Sequence, residues 1–394
     1  MEIKGTSRSD PMSLDFGFTL EQDQLRSVVR AFAGRELTRE FLREIDASGR
    51  APHELLPKMA ALGFNGLPVP TEYGGVGGSA TDVSVLLEEI GRGSLSIASL
   101  LNRALGWGAE AILRFGTEDQ KRFFLPRVCT GEMIFAFSHT EADAGSDAAA
   151  IRTRAVADGE HFVINGTKMF TTGAAECPCL IVTARTDASV SKHKGLSVFL
   201  VDATTPGIAC HKIEKLGMRG AGGLYEVQYQ NVRVPRSALL GAVNGGWQVI
   251  TSTLERARIA QAAYCVGAAQ KVIDDAVRYA NEREQFGQPI GKFQAIAHLL
   301  ADLQVRTDAA RLLLYRAASM ADEGVPCVRE ASIANLHATE TLVAVTSDAM
   351  RVWGGYGFTL EFDIERTLRD ARLFIIGDGS SQIQRNLIAR QMGL

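Results

Sequence analysis

Apolar residues recur at helical spacing through the first third of the chain. The segment FTLEQDQLRSVVRAFAGREL, residues 18–37, places them three and four positions apart, as in a helix with one buried face. The segment at 81–93 repeats this pattern, and Thr117 with Gln120 forms the Thr-x-x-Gln signature of a capped helix start. The pattern therefore predicts an N-terminal α-helical domain over residues 16–130.

The middle of the chain has a different pattern, in which short runs rich in β-branched and aromatic residues alternate with turn residues. Such runs are typical of strands rather than helices. Four of them are clear: HFVINGTKMFTT (161–172), CLIVTARTD (179–187), GLSVFLVDA (195–203) and YEVQYQNVRVP (225–235). We predict a middle β domain of antiparallel strands over residues 131–245.

From residue 246 to 394 the helical period returns, in segments far longer than those near the N-terminus. Long helices joined by short loops favour a four-helix bundle. No G-x-G-x-x-G follows a strand, so a doubly wound dinucleotide fold is not indicated. The predicted fold class is therefore α+β, with a helical domain, a β domain and a C-terminal helical bundle in that order.

Composition and charge then narrow the function. The chain has 394 residues, of which 46% are hydrophobic and 22% charged, and its net charge is −3. This balance gives no electrostatic case for nucleic-acid binding, and no apolar run is long enough to cross a membrane. Six scattered cysteines without paired spacing predict neither zinc nor any other metal site and fit a reducing cytoplasm. Residues 1–15 are polar and predict a disordered tail without a signal peptide.

Five segments resemble, in order, the signature segments of the acyl-CoA dehydrogenase family. They are HTEADAGSD (139–147), NGTKMFTTGA (165–174), REQFGQPIGKFQ (283–294), RVWGGYGFTLEFDIERTLRDAR (351–372) and LFIIGDGSSQIQ (373–384). The resemblance covers nearly the whole chain from about residue 16. It implies the same helix–strand–helix fold, an FAD cofactor and a homotetramer. It also implies oxidation of an acyl-CoA thioester between its α and β carbons, with electrons passing to an electron-transfer flavoprotein.

The last of these segments contains the candidate catalytic base. Where most of the family has Tyr-Glu-Gly-Thr, this chain has Gly377-Asp378-Gly379-Ser380, so the carboxylate is kept but is one methylene shorter. A Ser-x-x-Gln capping box at Ser381 predicts a helix start just after it, whose dipole would favour the ionised carboxylate. We predict that Asp378 abstracts the α-proton. The alternative is an ordinary Asp-Gly turn.

Some relatives carry the base on the first long helix of the C-terminal bundle. The matching position here is Ala257, which has no ionisable group. Glu255 lies on another face of that helix and is a weaker candidate for the base; we interpret it as a carrier contact or a surface charge. Arg258 matches a family arginine near the thioester, with a surface arginine as the alternative.

The resemblance also suggests where the acyl group binds. Trp107 would close the cavity and select a short acyl group, and Arg103, one turn earlier, would face an acidic or polar acyl tail. The alternative puts Arg103 in solvent and Trp107 in the core. Ser146 and Gly379 fall where relatives contact the carrier arm and substrate.

Several residues correspond to family positions that contact FAD. Those beside the isoalloxazine are Phe137, Thr140, Phe170, Thr172, Ser380 and Gln382. Another set corresponds to positions that contact the diphosphate or adenosine of FAD bound to a neighbouring subunit: Arg283, Gln285, Phe286, Gln294, Arg351, Gly354 and Gly355. At position 351 this chain has an arginine where relatives commonly have a glutamine. If these contacts cross subunits, the active form is at least a dimer. His139 could act as a base, although a packed or flavin-edge histidine is favoured because relatives are apolar there.

Three other functions stay open from the sequence. The acyl group could be carried by an acyl-carrier protein in biosynthesis instead of CoA. The same fold could serve a flavin monooxygenase or oxidase. A non-catalytic flavoprotein is disfavoured by the retained carboxylate.

Overall fold

Helices make up the N-terminal part of the computed structural model, which describes residues 17–394; the predicted tail lies outside the described residues. These helices are α1 (Leu20–Glu36), α2 (Arg39–Ser48), α3 (Leu55–Ala60), α4 (Ala80–Gly93), α5 (Leu95–Asn102), α6 (Glu110–Phe115) and α7 (Glu118–Thr130). The predicted capping box is confirmed, since Thr117 Oγ1 accepts from Gln120 N–H and the Gln120 side chain accepts from Thr117 N–H.

The helical segment between Leu95 and Phe115 is interrupted. Residues Arg103–Ala109 form a π-helical turn between α5 and α6. Gly108 lies so close to the β domain that a Cβ there would be 2.0 Å from the Phe135 ring. The glycine therefore permits a close approach of helix and strand, and π turns are common at functional sites.

The middle part folds into an eight-stranded sheet in the order β6-β7-β3-β2-β4-β5-β8, with β1 paired to β4. The strands are β1 (Phe135–Ser138), β2 (Arg154–Asp158), β3 (His161–Thr172), β4 (Cys179–Arg185), β5 (Leu196–Asp202), β6 (Ile208–Ile213), β7 (Leu224–Pro235) and β8 (Leu239–Leu240). The prediction of purely antiparallel strands is wrong for two pairings, because β1 and β2 both run parallel to β4. The pairing with β4 places β1, which directly follows α7, within the sheet.

The C-terminal part contains the long helices that the sequence predicted. They are α8 (Gly246–Glu282), α9 (Gln294–Asp322), α10 (Val328–Trp353), α11 (Ile364–Ala371) and α12 (Ser381–Gln391), with a small hairpin of β9 (Glu284–Gln285) and β10 (Gln288–Pro289) after α8. Helix α8 also packs tightly on α4, since a Cβ at Gly267 would lie 1.8 Å from the Glu88 carbonyl oxygen. This contact joins the two helical parts into one core.

Across the described residues, no helix is both long enough and apolar enough to span a membrane.

Candidate active site

Asp378 lies in a tight turn just before α12. Its φ is +54°, in the left-handed region, and Gly379 follows with φ +96°. Aspartate tolerates this conformation better than most residues, and glycine adopts it without strain. The Gln384 side chain stabilises the turn by donating to the carbonyl oxygens of Gly379 at 2.9 Å and Asp378 at 3.4 Å.

The predicted cap of α12 is shifted by one residue. Ser380, not Ser381, is the N-cap, and its hydroxyl accepts a hydrogen bond from Ile383 N–H. The capping box expected at Ser381 and Gln384 is wrong, because Ser380 is the N-cap and the residue three positions later is Ile383, which has no side-chain acceptor. The amide group of Gln384 instead donates to the segment that holds the carboxylate.

Burial of Asp378 has a larger effect on its pKa than the helix dipole, which was expected to lower the pKa. Burial raises the pKa of Asp378 to about 6, although the Arg258 cation acts in the opposite direction. Desolvation of a carboxylate disfavours its charged form more strongly than a partial helix charge favours it. Asp378 can therefore exchange a proton near neutral pH, as a general base must.

Three residues of α8, each three positions apart, face the segment that leads to Asp378. Arg258 is buried and interacts electrostatically with Asp378. Gln261 donates to the Phe374 carbonyl oxygen at 3.3 Å, and the Tyr264 ring lies 5.3 Å from the Phe374 ring. Gln261 and Tyr264 escaped the sequence interpretation, although a glutamine on the buried face of a helix is itself a signal.

The two alternative positions for the base, both on α8, lack the features found at Asp378. Ala257 is fully buried and offers no ionisable group. Glu255 interacts with Arg258 and accepts a weak hydrogen bond from Cys327 Sγ at 3.6 Å. Of these three candidate positions, Asp378 is the one whose carboxyl group lies in a tight turn and has a raised pKa.

Residues predicted to contact the isoalloxazine come together around β1 and β3. Phe137 on β1 stacks on Trp107 at 4.3 Å and on His139 at 5.6 Å. Phe170 on β3 is 56% exposed and has φ +59°, so its ring projects from the sheet. Thr172 ends the same strand. Exposed and half-exposed aromatic rings here provide an apolar surface suited to a flavin ring.

His139 is not suited to act as a base. Its side chain is buried, and burial together with the nearby Lys168 cation lowers its pKa to about 3. It therefore stays neutral at physiological pH, in agreement with the packed histidine favoured by the sequence.

A buried ion pair holds the loop that carries Thr140 and Ser146, and the sequence interpretation missed it. Lys168 Nζ donates to the His139 carbonyl oxygen at 2.8 Å and to Glu141 Oε1 at 2.9 Å. Glu141 also accepts from two backbone N–H groups further along the loop. Burial lowers the pKa of Lys168 to about 8, while Glu141 opposes the shift.

Arg103 and Trp107 both face β1 from the π-helical turn. Arg103 is buried, and it donates to the carbonyl oxygens of Phe135 at 2.9 Å and Ala221 at 3.2 Å. Glu176 is close enough to influence its charge electrostatically. The solvent-exposed alternative for Arg103 is therefore excluded, and Trp107 is buried beside Phe137.

A separate cavity of about 620 Å³ lies beside the β9–β10 hairpin and the end of α10. Its lining includes six of the seven residues predicted to contact the far end of FAD: Arg283, Gln285, Phe286, Arg351, Gly354 and Gly355. Gln294 is exposed at the start of α9 and is not among the lining residues.

The composition of this cavity fits an adenosine diphosphate group. A Cβ added at Gly354 or Gly355 would meet nothing within 4 Å, so the backbone is open to a ligand. Arg283 supplies a guanidinium for phosphate, and Phe286, which is 93% exposed, supplies an aromatic face. These residues therefore suit the diphosphate end of FAD.

Comparisons with known proteins agree with the fold. Family models described as the acyl-CoA dehydrogenase N-terminal, middle and C-terminal domains match residues 19–132, 136–232 and 244–393. The chain is 38% identical over 373 residues to the caffeyl-CoA reductase-Etf complex subunit CarC of Acetobacterium woodii, covering 94% of this chain and 98% of that protein.

Two solved structures are similar along almost their whole length. Butyryl-CoA dehydrogenase from Megasphaera elsdenii matches with a TM-score of 0.93 and 32% identity, covering 97% of this chain and 100% of that one. The prolyl acyl carrier protein oxidase AnaB matches with a TM-score of 0.92 and 32% identity, covering 96% of this chain and 100% of that one.

Proposed function

The chain belongs to the acyl-CoA dehydrogenase family, and from this premise we propose that it oxidises the α,β bond of a short acyl thioester with Asp378 as the base. Members of this family use FAD, and this chain is a flavoprotein oxidoreductase that acts on a CH–CH bond. The observation that carries the proposal is the carboxylate of Asp378, which is held in a hydrogen-bonded turn, interacts with Arg258 and has a pKa raised by burial.

The proposed reaction needs two removals from adjacent carbons. Asp378 takes the α-proton, which is weakly acidic because the thioester carbonyl stabilises negative charge. FAD, when bound, accepts the hydride from the β-carbon. The proposed arrangement has the acyl group between the Asp378 carboxylate and a flavin on the surface formed by Phe137, Phe170 and Thr172. Arg258 balances the charge of ionised Asp378.

Trp107 and Arg103 support a short acyl group with a polar end. Trp107 is stacked on Phe137, so it would limit the depth of a cavity that begins at the flavin. Arg103 already donates to two carbonyl oxygens and has Glu176 nearby, so its surroundings carry little net charge. A neutral polar acyl tail fits this environment better than a second carboxylate.

The proposal predicts a specific pH dependence. The purified holoprotein, mixed anaerobically with a panel of short acyl-CoAs, should lose its oxidised-flavin absorbance. Because only the ionised carboxylate accepts a proton, the rate should rise about tenfold per pH unit below pH 6 and level off above it. Stopped-flow absorbance between pH 5 and 8 measures this. A rate independent of pH over that interval, with a normal isotope effect for α-deuterated substrate, would contradict the proposed base.

Chain-length preference tests the role of Trp107. Trp107→Leu should raise the ratio of octanoyl-CoA to butyryl-CoA oxidation by about tenfold or more, since the removed indole leaves room for further methylenes. Flavin reduction rates at saturating substrate give the ratio. Arg103→Leu serves as the second arm, and it should weaken discrimination between polar and apolar acyl tails of equal length. Unchanged ratios in both variants would remove these residues from the acyl site.

A second candidate substrate is an acyl group on a carrier protein. The similarity to the prolyl acyl carrier protein oxidase AnaB motivates it. Flavin reduction by acyl-carrier protein but not by the matching acyl-CoA would favour this candidate. Fast reoxidation of the reduced flavin by oxygen would favour an oxidase. Our proposed electron acceptor is an electron-transfer flavoprotein, because the name of the relative CarC includes a complex with Etf. We propose that the active form is at least a dimer, because the cavity lined by Gly354 and Phe286 is predicted to hold a neighbour's FAD, and a homotetramer by resemblance to the family.

A further inference from the structure

A buried amide pair connects two helices of the bundle to the backbone that carries Asp378. Asn335 on α10 donates to Gln261 Oε1 at 2.9 Å, and Gln261 in turn donates to the Phe374 carbonyl oxygen at 3.3 Å. Both side chains are about 99% buried. Phe374 precedes Asp378 by four residues, so the amide pair holds the start of the segment whose far end is held by Gln384.

The backbone between these two anchors is folded by its own hydrogen bonds. Gly377 N–H donates to the Leu373 carbonyl oxygen at 2.8 Å, and Ser381 N–H donates to that of Ile375 at 3.2 Å. Asp378 itself has a positive φ. A non-glycine residue in this region persists only where its surroundings hold it there.

The length of the side chain makes the position of this backbone important. An aspartate has one torsion fewer than a glutamate, so it cannot extend or swing to correct an error in the backbone. The carboxylate of Asp378 therefore reaches the α-proton only if the turn itself is in the correct place. A misplacement of about 1 Å can lower a reaction rate by about 100-fold.

We infer that Gln261, supported by Asn335, is a positioning residue that sets the reach of Asp378; this inference rests on the proposed function of Asp378 as the base. Gln261 acts through the Phe374 carbonyl and the backbone of residues 374–378. Its contribution should be large for the short aspartate and small for a longer carboxylate that can adjust.

A double-mutant cycle tests this dependence on side-chain length. Gln261→Met is made in the native protein and in an Asp378→Glu background, and anaerobic flavin reduction is followed with the fastest acyl-CoA of the panel. In the native background we expect a loss of about 10- to 100-fold in rate with little change in KM. In the Asp378→Glu background we expect a loss below about threefold.

Gln261→Leu is a second variant in case the methionine variant folds poorly. Its side chain is apolar and branched, and it can neither accept from Asn335 nor donate to the Phe374 carbonyl oxygen. We expect it to reproduce the rate loss. Gln270→Met is the matched control, because Gln270 lies on the same helix and bonds to Gln304 on α9, away from the Asp378 turn.

Hydrogen exchange of the holoprotein supplies a readout that needs no substrate. The amides of Gly377 and Ser381 should exchange faster in Gln261→Met than in Gln270→Met, with FAD content unchanged. Equal rate losses in the aspartate and glutamate backgrounds, or unchanged exchange at these amides, would overturn the inference. Full activity of Asp378→Asn would instead overturn the proposed function, so the two failures can be told apart.

Discussion

Asp378→Asn should lower the rate of anaerobic flavin reduction by acyl thioester about 10³-fold, within the range expected for loss of a general base. The amide has nearly the shape of the carboxylate but cannot accept the α-proton at any pH. The turn should survive, since asparagine also tolerates positive φ. Stopped-flow absorbance of the oxidised flavin, with FAD content measured on the same sample, gives the result.

Asp378→Glu is the matched control for this prediction. It restores the carboxylate length usual in the family, so we expect it to retain a rate within about tenfold of the native protein. Loss of activity in both variants with FAD retained would show that the turn, not the proton acceptor, is sensitive. Retention of activity in Asp378→Asn would place the base elsewhere, with Glu255 the next candidate.

Local features were predictable from the sequence because local residues determine them. The run at 161–172 predicted a strand, and β3 spans His161–Thr172. Thr117 and Gln120 predicted a helix start, since a capping box needs only residues three apart. The glycines around Asp378 likewise indicated a turn. Each of these depends on backbone preferences or contacts within a few positions.

Features of the site that depend on tertiary packing were not predictable in the same way. The Asp378 pKa is raised because other elements bury the turn, and this burial exceeds the dipole effect that the sequence suggested. The π-helical turn at Arg103 arises where helix and sheet meet. Predicting these features requires knowledge of which segments of the chain are in contact.

The Lys168–Glu141 pair is the clearest example, because two residues 27 positions apart form one buried charge pair. Lys168 is fully buried, so its charge has no contact with solvent. Burial raises the pKa of Glu141, but the Lys168 cation and the hydrogen bonds to the carboxylate more than offset this, and the pKa lies below its ordinary value. Both groups are therefore charged at pH 7. Removing either one leaves the other buried without a counter-charge.

Lys168→Met should lower the free energy of unfolding by about 3–5 kcal/mol, the usual cost of breaking a buried ion pair from one side. It should also weaken FAD binding, since the loop carrying Thr140 loses its anchor at the His139 carbonyl oxygen. Urea unfolding of the holoprotein and fluorescence of released flavin measure the two effects. Lys192→Met is the control: Lys192 pairs with Asp147 at an exposed position, so its loss should cost below about 1 kcal/mol.

The pH dependence of unfolding provides an independent check on the same residue. Native Lys168 loses its proton near pH 8, whereas a lysine in the unfolded chain keeps it to about pH 10.4. Between these values the unfolded state binds more protons, so this residue makes the native state more stable as pH rises. The Lys168→Met variant should lack that contribution, and the double variant with Glu141→Gln should recover part of the lost stability because no unpaired charge remains. A double variant no more stable than Lys168→Met alone would mean that Lys168 acts through its bond to the His139 carbonyl oxygen, and not through charge pairing.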